Sequence, residues 1–363
     1  MLFRIFTYYF LFLLIFNSAI SYSQESDTSS SGGVSWFPIP FAFYTPETRL
    51  ALGVLVITAF KLSKVPDSRP SSVSAAFFYT LNSQYDFYIS PELFLNNDKF
   101  FAAAEFDHAK IIGKYYGIGN NTPEIDKPEF EAKSSLISIK FQSEVLPFLR
   151  VGGIYELRNA DLVDPKENPY LLSGNTFGGE GGFTSGLGVI ISYDSRNHIF
   201  YPNDGGIYEL STIVFDEILG SDFNYSKTLI DLRHYFGLAH NQVLAWQLLY
   251  SFVSGSTPFY DLPQLGGDNI MRGYFEGRYR DNHYFATQVE YRLRVWWRFG
   301  LVGFLGVGDV ANSISTFELS KFKYSIGAGF RFRIDETELW DLRVDFGFGK
   351  NTSGFYFHYN QAF

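Results

Sequence analysis

From Ser35 onward the chain is written in period two. Between positions 322 and 334, Phe322, Tyr324, Ile326, Ala328, Phe330, Phe332 and Ile334 alternate with Lys323, Ser325, Gly327, Gly329, Arg331 and Arg333. Trp340, Leu342, Val344, Phe346 and Phe348 alternate in the same way with Asp341, Arg343, Asp345, Gly347 and Gly349. Such alternation predicts strands with one apolar and one polar face. A soluble β-sandwich would turn the aromatic face towards a second sheet. A barrel in a membrane inverts this, setting the aromatics against lipid and Arg, Asp and Gly in a hydrated lumen.

Alternating runs fall near 35–45, 47–62, 69–82, 83–95, 98–112, 129–144, 146–160, 182–194, 205–219, 222–238, 241–256, 281–297, 299–312, 321–334, 339–351 and 353–363. They number sixteen, an even count as closed bacterial barrels have. If the chain starts on the periplasmic side, connections after odd-numbered strands face outward. These include the three longest, 113–128, 161–181 and 257–280, whereas Arg298-Phe299 and 335–338 on the other side are short. Long loops outside and short turns inside are what an outer-membrane barrel shows. The expected fold is therefore all-β: a transmembrane antiparallel β-barrel of sixteen strands, with a lumen-directed loop between strands eleven and twelve.

The start of the chain reads as a signal peptide over residues 1–24. Arg4 lies in a short n-region, an apolar run extends from Tyr8 to Phe16, and the small residues Ser18, Ala19 and Ser21 follow, so cleavage is expected near Gln24. The run is short for a helix of ~20 residues that would anchor the chain. Residues 25–34 are a Ser/Gly-rich flexible leader, and the barrel occupies 35–363.

Composition agrees with this reading. Aromatic residues make up 19% of the chain, with 40 Phe and 25 Tyr, and they alternate with polar residues instead of clustering in continuous runs. A net charge of −9 without a basic stripe argues against nucleic acid as a partner. The absence of cysteine excludes disulfides, thiol catalysis and thiolate metal sites. Neither a Gly-x-Ser-x-Gly elbow nor a His-Glu-x-x-His motif occurs, and His108, His198, His234, His240, His283 and His358 are scattered, so no catalytic residue, metal site or cofactor is expected. Glu124, Asp126 and Glu129 form an acidic loop best read as a solvated surface.

One stretch does not fit the hairpin pattern. GGDNIMRGYFEGRYR, positions 266–280, carries four glycines and three arginines where a simple turn would need two residues. Its residue types suit either a solvated surface loop or a loop folded back into the lumen with Arg272 against acidic wall residues.

Gly266-Gly267-Asp268 leading to Met271-Arg272-Gly273-Tyr274 resembles the Arg-Gly-Phe/Tyr loop of the bacterial surface antigen family, the barrel part of the BamA/TamA-like outer-membrane assembly and translocation superfamily. Tyr193-Asp194-Ser195-Arg196-Asn197 with Pro202 and Gly205 is similar to that family's Asp-x-Arg turn segment. Residues 36–53, with Tyr44-Thr45-Pro46-Glu47-Thr48, resemble its opening hairpin, Tyr116-Gly117-Ile118-Gly119-Asn120 is also found there, and the end at Phe363 resembles its aromatic assembly signal, continuing the face of Phe355, Phe357 and Tyr359.

The resemblance implies that Arg272 docks on an inner-wall carboxylate. The family's Phe-x-Asp-x-Gly is matched by Phe304-Leu305-Gly306-Val307-Gly308, with Gly in place of Asp, leaving Asp309 or Asp345 as candidate acids. Assembly members also carry periplasmic POTRA modules, for which the short leader leaves no room. The implied surroundings are outer-membrane lipid and lipopolysaccharide, with a separate periplasmic or lipoprotein partner. Three functions follow: help in protein insertion or secretion, a passive pore whose lumen is lined by Glu290, Arg292, Arg294, Arg331, Arg333, Arg343 and Asp345, or a scaffold barrel for lipoprotein or surface partners.

Overall fold

The computed structural model describes residues 34–45, 49–65 and 68–363. The signal peptide with its cleavage site near Gln24, most of the leader, and residues 46–48 of the opening hairpin lie outside the described residues.

Alternation and tight turns produce an up-and-down series of strands: β1 Ser35–Thr45, β2 Arg49–Phe60, β3 Ser71–Thr80, β4 Tyr85–Leu95, β5 Phe100–Lys114, β6 Glu129–Leu146, β7 Leu149–Asp164, β8 Gly181–Asp194, β9 Gly205–Phe215, β10 Tyr225–Ala239 and β11 Gln242–Gly255. A two-residue pair, β12 Gln264–Leu265 and β13 Tyr279–Arg280, interrupts it. The series resumes with β14 His283–Trp296, β15 Phe299–Ala311, β16 Lys323–Asp335, β17 Trp340–Gly349 and β18 Thr352–Tyr359. All but β12 and β13 form one sixteen-stranded sheet in which each strand pairs with its sequence neighbour. The chain is thus a sixteen-stranded antiparallel transmembrane barrel, and observed strand limits lie within a few residues of those read from the pattern.

The faces divide as period two requires. On β14, Tyr284, Ala286, Gln288, Glu290 and Arg292 are buried towards the lumen, and Val289 and Tyr291 are exposed on the outside. Leu301, Leu305, Tyr324, Ile326, Phe330, Phe346, Phe355 and Phe357 continue the outer apolar surface. The lumen holds many buried charged side chains, among them Glu290, Arg292, Arg331, Arg343 and Asp345, beside buried apolar clusters.

Two expectations fail at strand ends. Trp340 does not face lipid: it opens β17 directly after Leu339, which takes a positive φ of 56°, and it is buried against Ile39, Ile57 and Ala59, with Leu342 packed on the same cluster. Phe363 does not extend the face of Phe355 and Phe357. The last strand stops at Tyr359, Asn360 takes a positive φ of 60°, and the chain turns inward so that Phe363 packs on Tyr235, Val243 and Ala245.

Candidate functional site

The loop between β11 and β14 folds into the barrel. The β12–β13 pair forms its stem, and its apolar underside places Leu265, Met271 and Tyr274 against Tyr284, Ala286 and Val310 of the wall. At the tip, Gly273 has φ +108°, a conformation that favours glycine, and Met271 holds φ +53°. A Cβ on Gly273 would lie 2.8 Å from the Phe348 backbone, and one on Gly347 would lie 2.6 Å from the carbonyl carbon of Arg272. Loop and β17 therefore meet main chain to main chain.

That approach delivers Arg272, which is 0% exposed, to two carboxylates that are also 0% exposed. Its Nη1 donates to Asp345 Oδ2 at 2.5 Å and its Nη2 to Glu290 Oε2 at 2.8 Å, while its guanidinium carbon sits 3.5 Å from the Phe304 ring centre. Flat stacking and two charge-assisted hydrogen bonds suit a planar guanidinium better than an ammonium. Ser325 Oγ donates to the Arg272 carbonyl, Gly273 N donates to Tyr356 Oη at 2.8 Å, Thr352 Oγ1 donates to the Gly273 carbonyl at 2.8 Å, and Lys350 N donates to Tyr274 Oη at 2.9 Å. The same acids hold wall arginines: Glu290 accepts from Arg292 Nε at 2.8 Å, and Asp345 accepts from Arg331 Nη1 at 2.6 Å and lies 3.6 Å from Arg343 Nε. Four buried guanidinium groups thus share two buried carboxylates.

Of the candidate acids, Asp345 meets Arg272 and Asp309 does not. Asp309 lies higher on β15, where Lys323 Nζ donates to it at 2.6 Å and Asn120 Nδ2 at 3.0 Å. It therefore holds the Tyr116–Asn120 motif loop and not the Arg272 tip. Gly306, at the position where the family has Asp, faces Met271 at 3.7 Å from an added Cβ to the sulfur. Asp268 supports the tip through its carbonyl, which accepts from Arg343 Nη2 at 3.2 Å, and Gly267 N donates to the Tyr274 carbonyl at 3.3 Å. Sequence reasoning placed Glu290 on the lumen face but missed it as a second partner; its position two residues before Arg292 on one face was the available signal.

The other long outward loops close over this one. Arg278 donates to Thr122 Oγ1 at 2.6 Å, pairs with Glu124 at 3.0 Å and stacks on Tyr116 at 4.3 Å. Gly119 N donates to the Arg280 carbonyl at 2.8 Å, and Tyr115, Leu171 and Phe259 form an apolar cluster joining three loops. Below them, the lumen keeps a polar cavity of about 370 Å³, lined in part by Glu92, Lys140 and Arg150, and a mixed one of about 420 Å³, lined in part by Glu105, Glu156, Lys227, Ile154 and Ile213.

The Asp-x-Arg segment sits at the opposite mouth of the barrel, between β8 and β9. Arg196 grips Asp194 through Nε to Oδ1 and Nη2 to Oδ2, both at 2.9 Å, and Arg69 pairs with the same carboxylate. Gly205, at φ +83°, closes the turn where a Cβ would lie 2.1 Å from the Ser195 carbonyl oxygen, and Pro202 is buried. The turn carries Phe200 inward onto Trp340 and Tyr201 beneath the guanidinium groups of Arg294 and Arg333, at 5.4 and 4.8 Å. Inside it, His198 Nδ1 accepts from the amides of Phe200 and Tyr201, both at 3.2 Å; burial, with Arg333 and Arg196 adding to it, lowers its pKa to about 4.

Residues 74–363 match the Omp85 superfamily domain. In fold, the chain is similar to BamA from Haemophilus ducreyi lacking POTRA domains 1–3, with a TM-score of 0.56 at 12% identity, over 92% of this chain and 70% of that one. It is also similar to CdiB from Acinetobacter baumannii, with a TM-score of 0.57 at 11% identity, over 92% of this chain and 60% of that one. It therefore spans less than two thirds of the second protein's length. No curated protein matches it significantly in sequence. With a domain of that family covering most of its length, the chain belongs to the Omp85 superfamily.

Proposed function

We propose that this outer-membrane barrel aids the insertion or secretion of other proteins, with a separate periplasmic or lipoprotein partner delivering the client. The observation that carries this reading is the Arg272 tip fixed inside the lumen against the β14–β18 wall, held by Asp345, Glu290 and main-chain contacts to β17. A loop held in this way narrows the lumen and favours neither a wide steady pore nor passage of a folded chain, which turns attention to the wall.

The wall has a candidate opening at its first strand. β1 pairs continuously with β2 from Ser35 to Thr45 although it contains Pro38 and Pro40. Proline has no N–H and is tolerated in a ladder only where that group would point away from the partner. Both prolines share one parity, so the missing donors fall on the edge of β1 facing away from β2. A strand lacking two adjacent outward donors pairs weakly on that side and is open to exchange with an incoming strand.

The experiment is folding of a small urea-unfolded outer-membrane barrel into liposomes with and without this protein. Faster folding in its presence supports the reading. Equal folding rates, together with steady conductance that Arg272→Ala leaves unchanged, would overturn it in favour of a pore.

A further inference from the structure

We propose that residues 360–363 are a latch on the periplasmic side of the lumen, energetically coupled to the Arg272 loop through the carboxylates of Glu290 and Asp345. This inference concerns the barrel's internal switch and stands apart from what the barrel transports.

The segment is specifically held. After the turn at Asn360, whose N–H donates to the Asp341 carbonyl at 2.6 Å, Gln361 bridges two wall residues. Its Nε2 donates to Asp341 Oδ2 at 2.6 Å and its Oε1 accepts from Arg331 Nε at 3.0 Å. Ala362 and Phe363 are both buried, clustered with Tyr235, Val243 and Ala245, with Tyr201 of the inward turn packed against them. Arg292 Nη2 donates to the Phe363 main-chain oxygen at 2.7 Å, and its guanidinium lies 5.4 Å from the Phe363 ring centre.

Arg292 and Arg331, which hold this segment, are also among the arginines that share Glu290 and Asp345 with Arg272. Four guanidinium groups on two carboxylates leave buried donors competing: among the described residues Arg292 Nη1 and Arg331 Nη2 find no hydrogen-bond partner even with the segment docked, and Arg331 Nη2 comes only to 3.8 Å from Glu290 Oε2. Buried donors that lose a partner seek another. If residues 360–363 leave, Arg292 and Arg331 turn more fully to Glu290 and Asp345 and compete with Arg272. If Arg272 leaves, the two acids satisfy the wall arginines and the hold on Gln361 and Phe363 weakens. Each event favours the other, and the coupling must be reciprocal.

The absence of cysteine makes a direct test available. A single thiol from Ala362→Cys is labelled with a maleimide-polyethylene glycol too bulky to enter the barrel, in refolded full-length protein in liposomes, beside Asn241→Cys in an exposed turn. The expected result is labelling at position 362 far slower than at 241, accelerated about tenfold by Arg272→Ala, within the usual range of couplings. Gln361→Ala in the same assay severs the latch without touching the loop and should accelerate labelling to a similar degree. Equal labelling at 362 and 241 in the parent would overturn the latch. Slow labelling that Gln361→Ala accelerates and Arg272→Ala does not would overturn the coupling. Should Arg272→Ala fail to refold, Gly347→Ala displaces the same tip and is read by the same criterion.

Discussion

Gly273 of the inward loop and Gly347 of β17 face each other with no room for a side chain on either: a Cβ at 347 would lie 2.6 Å from the Arg272 carbonyl carbon, and one at 273 would lie 2.8 Å from the Phe348 backbone. Both obstacles are main chain: at 273 it is the β17 backbone held by the β16–β17–β18 ladders, and at 347 it is the loop backbone at Arg272, which must move for a side chain to fit. Gly347→Ala should therefore push the tip away and cost the docked state about 1–3 kcal/mol, the usual scale of overpacking. Gly273→Ala adds the strain of its positive φ and should cost more. Single-channel recordings check this: current absent or rare in the parent should become frequent in both variants, and silence in both would contradict the close approach.

Arginine outnumbers carboxylate around the tip, which ranks the substitutions. Removing one acid leaves several buried cations short of an anion, whereas removing Arg272 leaves its acids still paired with Arg292 and Arg331. Breaking a buried pair from the side that strands a charge costs about 3–5 kcal/mol. Asp345→Asn and Glu290→Gln should therefore lower the denaturation midpoint of the folded barrel more than Arg272→Met does. The order is read from heat-modifiable migration over a urea series, and a larger loss for Arg272→Met would contradict it.

Much of this was legible in the chain and some was not. Period two marks each strand of the sixteen-stranded sheet, though not the short β12–β13 pair, and even the inward direction of Glu290, Arg331 and Asp345, because a side chain's face is set locally by parity. Which of those residues meet depends on height along tilted strands and on strand neighbours far apart in sequence, so Asp309 and Asp345 were equivalent as partners for Arg272 until the register separated them. Trp340 departs from the pattern because it opens β17 at a turn and packs on Ile39, Ile57 and Ala59 from the far end of the chain, a contact that alternation along one strand does not encode. Phe363 was misplaced for a related reason: its alternation with Tyr359 is maintained in sequence, but the turn at Asn360 ends the strand before it.

The two prolines of β1 lead to a prediction about the seam. Pro38→Val with Pro40→Val restores two N–H donors to the edge of β1 that faces away from β2, without altering the apolar character of the exposed face. Each hydrogen bond gained is worth about 0.5–1.5 kcal/mol. The double variant should resist unfolding better than the parent and, under the proposed function, accelerate client folding less. Increased stability with undiminished client folding would separate the seam from the activity.

Acid should loosen the β8–β9 turn through His198. Its neutral Nδ1 accepts from the Phe200 and Tyr201 amides, and burial next to Arg333 and Arg196 lowers its pKa to about 4, below the ordinary 6.5. A depressed pKa means that the folded turn prefers the uncharged ring. Its contribution is therefore fully present above pH 6.5 and is lost as the pH falls towards 4, when protonation turns the acceptor into a donor facing two N–H groups. Hydrogen-exchange protection of residues 199–201, corrected for the intrinsic dependence of exchange on pH, should fall across that window while the β8 and β9 ladders stay protected. His198→Asn can keep an acceptor in place and does not titrate, so its turn should show no such fall. An equal fall in that variant would place the acid sensitivity elsewhere, with the carboxylate of Asp194 between Arg69 and Arg196 as the next group to examine.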